Sequence, residues 1–135
     1  MTGVQTCALP ISDAGLSALV APRRDAAALA EVLADPSVGG FEVQVLLNRL
    51  HHEVQRTLAQ FFVSSSRDET LLLYFSGHGV KDENGLLFFA MPDTELELLS
   101  ATAVASTFVS NQLDRARAET KLVVLDCCYS GAVKI

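Results

Sequence analysis

A chain of 135 residues holds at most one domain. Half of its residues are apolar and 19% are charged, so it can bury a core and is not disordered by composition. The net charge of −6, with Arg23–Arg24 as the only adjacent basic pair, argues against a nucleic-acid partner, and no apolar run nears the roughly 20 residues of a membrane span.

Residues 1–11, MTGVQTCALPI, read like the in-frame translation of a common sequencing-library adapter, without charge or periodicity. They are set aside from fold reasoning as appended sequence, and residues 12–135 are taken as a partial domain, short at both ends. Cys7, Cys127 and Cys128 form no disulfide framework, because sequence neighbours bridge only with strain and Cys7 is left alone. A reduced, cytoplasmic protein is expected.

Ala26, Leu29, Ala30 and Leu33 follow helical spacing over residues 24–34, with Pro22 tolerated near the start. Asp35-Pro36 and Gly39-Gly40 break the pattern. FEVQVLL (41–47) alternates, with Phe41, Val43, Val45 and Leu47 on one face, and predicts a strand near a sheet edge. Asn48 is the expected cap of a second helix with the stripe Leu50, Val54, Leu58 and Phe61. Residues 64–69 are a loop.

LLLYF (71–75) is uninterrupted and apolar, the pattern of a central strand covered on both faces, and it ends in Ser76-Gly77-His78-Gly79. KDENG (81–85) is a turn signal before LLFFA (86–90). Ala105, Val109, Leu113 and Ala116 form a third helical stripe. LVVL (122–125) repeats the buried-strand signature and ends at Asp126-Cys127-Cys128. Strand and helix patterns alternate, so the expected architecture is α/β, a parallel sheet with helices on both faces.

In open parallel sheets, catalytic groups collect beyond the carboxyl ends of the strands. Two strands read as central end in reactive residues: His78 after one, two thiols after the other. A thiol beside an imidazole suffices for nucleophilic catalysis, since the base draws the proton, the thiolate attacks a carbonyl and the imidazolium protonates the leaving amine. Glycines around the histidine leave backbone N–H groups open, as an oxyanion hole requires. Side chains alternate along a strand, so Asp126 and Cys128 point one way and Cys127 the other, toward packing.

YFSGHG with LDCCYSG, about 50 residues apart, resembles the caspase/metacaspase superfamily of cysteine peptidases, specifically its bacterial caspase-like members. The resemblance covers roughly residues 16–133. It implies an incomplete caspase-like (caspase-haemoglobinase) fold and a cysteine endopeptidase acting on protein or peptide substrates. Within it, His78, in an SGHG-type turn, is the general base and Cys128 the nucleophile, and the backbone N–H groups of Gly79 and Cys128 form the oxyanion hole. The chain lacks the arginine-rich pocket and the Q-A-C-x-G motif of classical caspases. It is closer to metacaspases, whose acidic pocket selects Arg or Lys; Asp126, Asp25 and Ser76 match pocket residues of that family. The family's first strand is expected before residue 16, where the adapter-like stretch stands, and Tyr129 replaces a common histidine. The dyad needs no cofactor. Calcium, bound by some metacaspases, has candidate ligands in Asp82, Glu83, Asp93 and Glu95, which match no defined calcium-loop spacing. Accessory domains often accompany the family.

Two rival readings stay open. One is a catalytically silent caspase-like module serving interaction or regulation. The other is a redox domain using the Cys127–Cys128 pair. His51 and His52 fall within a helix pattern, read as exposed and without a metal-ligand partner at suitable spacing.

Overall fold

The computed structural model describes residues 3–8 and 21–129, with side chains from 26 to 127. The described residues form one sheet from β1 (Gly3–Ala8), β2 (Glu42–Leu47), β3 (Thr70–Lys81), β4 (Leu87–Phe89), β5 (Val104–Ala105) and β6 (Thr120–Tyr129). The helices are α1 (Ala21–Ala34), α2 (His51–Val63), the single turn α3 (Leu99–Thr102) and α4 (Ser106–Arg115).

β1 lies between β2 and β3 and runs parallel to both, and β3 pairs in parallel with β6 on its other edge from Thr70↔Thr120 through Gly79↔Tyr129. Residues 3–8, set aside at the level of sequence, thus occupy an interior position of the sheet. The chain steps from β1 outward to β2, then back across β1 to β3 and on to β6. Right-handed crossovers taken in opposite directions place their helices on opposite faces. Accordingly α1 packs on β1, β2 and β3, while α2 packs with α4. The expected helices on both faces follow from this reversal.

The sheet is mixed rather than wholly parallel. β4 pairs antiparallel with β3, and β5 antiparallel with β4. Residues 82–86 are too few for a parallel crossover. They form a tight turn in which Asp82 Oδ1 accepts the N–H groups of Asn84 and Leu86, both at 2.9 Å, and Gly85 takes a left-handed φ of 81°.

The main core lies on the α2 and α4 side. It joins Val54, Leu58 and Phe62 of α2, Leu71, Leu73 and Phe75 of β3, and Val109 of α4. The stripe expected on α2 shifts at both ends. Phe62 is buried where Phe61 is only partly so, and Leu50 is the exposed N-cap. Its N–H donates to Glu53 Oε2 at 2.9 Å, and Asn48, expected as the cap, instead adopts φ 53° in the preceding bend. β2 is the edge strand that its alternation predicts, but its buried residue is Leu46, which joins the α2 core, while Val45 on the opposite face is exposed. On α1 the expected stripe Ala26, Leu29, Ala30 and Leu33 is the least exposed face.

β6 departs from the reading as a buried central strand. Leu122, Val124 and Leu125 are 52%, 38% and 45% exposed. β3 is its sole partner among the described residues, so its other edge has no strand beside it there.

Candidate active site

The reversal in strand order falls at β1 and β3, and a doubly wound sheet opens its ligand crevice at such a point, beyond the carboxyl ends of the strands. The sequence places SGHG on β3 at that end. β3 does not stop at Phe75 as expected. It continues in extended form to Lys81, because β6 pairs with it as far as Gly79 and β4 with Gly79–Lys81. His78 therefore sits within a strand and not on a turn.

Alternation along β3 divides its residues between two faces. Leu71, Leu73 and Phe75 point into the α2–α4 core, so Tyr74, Ser76 and His78 face the α1 side. Ser76 and His78 are buried, at 2% and 5% exposure. Gly77 lets the Phe75 ring lie along the strand, since a Cβ there would stand 2.9 Å from Phe75 Cζ. That ring packs against Phe89 of β4 with centroids 4.8 Å apart at 57°.

β6 brings its motif alongside in direct register: Ser76↔Asp126, Gly77↔Cys127, His78↔Cys128. Neighbouring strands lie about 4.8 Å apart, so the backbones of His78 and Cys128 are immediate neighbours. Cys127 is partly buried and packs against the core cluster, in keeping with its reading as a small hydrophobe. Alternation then places Asp126, which is exposed, on the same face as Ser76. Asp25 lies in α1, the helix that packs on β3 from the Ser76 and His78 side.

Backbone polarity at Gly79 follows from the ladder beside it. The Ala90 N–H donates to the His78 carbonyl at 3.0 Å, which makes 78 and 90 a bonded antiparallel pair. Gly79 is then a non-bonded position of that ladder, and its N–H turns away from β4, toward β6.

Sequence spacing missed one constellation. His51, at the start of α2, meets Asp93, 42 residues away, in the loop after β4. Asp93 Oδ1 accepts the His51 backbone N–H at 2.9 Å, and Oδ2 lies 2.5 Å from Nδ1. Burial pushes the Asp93 carboxyl up, but the imidazole and backbone N–H of His51 outweigh it and hold the group below the usual carboxylate range. His51 is therefore part-buried and paired, not a free surface residue; His52 is exposed as expected. Only the return of the chain after β4 to the head of α2 creates this pair, and no local pattern announces it. Of the acidic loop residues considered for calcium, Asp82 and Asp93 already have carboxylate oxygens engaged by protein donors.

Among the described residues no helix is long and apolar enough to cross a membrane. No curated protein matches the chain. The family model of the caspase domain, a peptidase family, matches residues 7–134, a span that takes in both reactive motifs and nearly all of the sheet. The chain belongs to the caspase-domain family of cysteine peptidases.

Proposed function

We propose that the chain carries the centre of a cysteine endopeptidase that cuts after Arg or Lys through a Cys128–His78 dyad. The observation that carries this reading is the parallel register of β3 and β6, in which His78 and Cys128 are paired residues of adjacent strands. In the reaction His78 takes the Cys128 proton and the thiolate attacks the scissile carbonyl. The amine leaves with the proton from the imidazolium, and water then releases the acyl group from sulfur. In this reading the N–H groups of Gly79 and Cys128 receive the oxyanion.

Asp126, Ser76 and Asp25 form the pocket for the basic side chain in this reading. A carboxylate pair facing a guanidinium offers bidentate, charge-assisted bonds. Support comes from the Ser76↔Asp126 register and from the position of α1 on the same face. The chemistry requires no cofactor. Residues 12–135 belong to the catalytic domain in this reading and residues 1–11 are adapter-derived, which resequencing the 5′ end of the gene tests. The reading also places the protein in the cytoplasm, with accessory domains in the full-length chain.

Hydrolysis of peptides ending in Arg and in Asp, compared for the wild type and Cys128→Ala, tests the function. Arg cleavage should fall about a thousandfold or more in the variant. Cleavage after Asp would keep the dyad and overturn the pocket. One observation favours a second reading, a silent interaction module: His78 is only 5% exposed, so a substrate needs the crevice to open. A folded protein that cuts neither peptide would select that reading. The packing of Cys127 against the core speaks against a redox role for the vicinal pair.

A further inference from the structure

We propose that His51, His52 and Asp93 form a binding site for a divalent transition cation of the zinc class, separate from the catalytic centre and independent of the peptidase reading. One ligand atom from each of the three lies within 4.8 Å of the other two. Ligands about 2.0–2.2 Å from a tetrahedral zinc stand about 3.3 Å from one another, so a small closure completes the set. His51 and Asp93 are already closer than that, with Nδ1 and Oδ2 at 2.5 Å. The His52 ring stands edge-on to the His51 ring, with centroids 5.6 Å apart, and is exposed, so rotation of its side chain can supply the closing movement.

Two imidazoles and one carboxylate suit zinc, cobalt or nickel and not calcium, which takes oxygen ligands. The cation replaces the proton held between Nδ1 and Oδ2. From neutral imidazole that proton moves to Nε2; from imidazolium it passes to water, so acid weakens binding. The amino end of α2 disfavours a cation, but Asp93 offsets it by accepting the His51 N–H there, at 2.9 Å. A bound cation would fasten the loop that follows β4 to the head of α2.

Titration of Co²⁺ into the chain carrying Cys128→Ser, followed by the ligand-field absorption, tests the site with the catalytic thiol removed. Saturable binding is expected, weakened about tenfold or more by His52→Ala and again by His52→Gln, and unaffected by His78→Ala. Because His52 is exposed, neither substitution at that position should unfold the protein, which circular dichroism checks. Absent binding, binding that survives both His52 variants, or displacement of Co²⁺ by equimolar Ca²⁺ would each overturn the proposal.

Discussion

β3 and β6 carry similar apolar runs, LLLYF and LVVL, run parallel and pair residue for residue, yet their environments differ. On β3, Leu71, Leu73 and Phe75 are each under 5% exposed, whereas Leu122, Val124 and Leu125 of β6 are all at least 38% exposed. β3 has β1 and β4 on one side and β6 on the other, while β6 has only β3 among the described residues. An apolar run states what a strand could bury. What it does bury depends on how many neighbours the fold supplies.

Truncation on each strand sharpens the contrast. Phe75→Ala should lower unfolding stability by about 3–5 kcal/mol, seen as a fall in the urea midpoint at unchanged slope. A loss under about 1 kcal/mol would mean that the β3 face is not a tightly packed core. Gly77→Ala, also on β3, forces the Phe75 ring from its place and should cost about 1–3 kcal/mol. Leu122→Ala, on the exposed side of β6, should cost no more than about 0.5 kcal/mol. Equal effects of Phe75→Ala and Leu122→Ala would erase the distinction between the strands.

A smaller effect, lost in acid, concerns the loop after β4, where the His51–Asp93 pair adds to the burial of Ala90, Met91 and Thr94. The folded Asp93 carboxyl lies below its ordinary value. Its contribution to stability is therefore present above the ordinary carboxylate range and is lost as pH falls through the folded value. Asp93→Asn should melt at a lower temperature than the wild type at pH 6, and the gap should close below about pH 4. A gap that persists unchanged at pH 2 would show that the pair acts through packing alone.

Much of the fold was legible because periodicity and turn chemistry are local. The stripe on α1, the Asp82–Gly85 turn and the edge position of β2 all follow from short-range patterns. The misreadings share a different cause. The length of β3 beyond Phe75 depends on the strands that pair with SGHG, the antiparallel return of β4 on the shortness of one turn, and the exposure of β6 on its having β3 as its sole partner among the described residues. At the candidate site, sequence motifs named His78 and Cys128, but only topology gives their register. The His51–Asp93 pair had no sequence signal, since 42 residues separate its members.

Alkylation of Cys128 by iodoacetamide at pH 6, with and without His78→Ala, tests the central claim that β3 and β6 bring an imidazole to a thiol. An ordinary thiol, titrating near pH 8.5, reacts slowly at pH 6. The account predicts rapid modification of Cys128, located by peptide mass, that falls at least about tenfold in His78→Ala while Cys127 stays slow in both. A Cys128 rate that is slow at pH 6 and indifferent to His78 would contradict it.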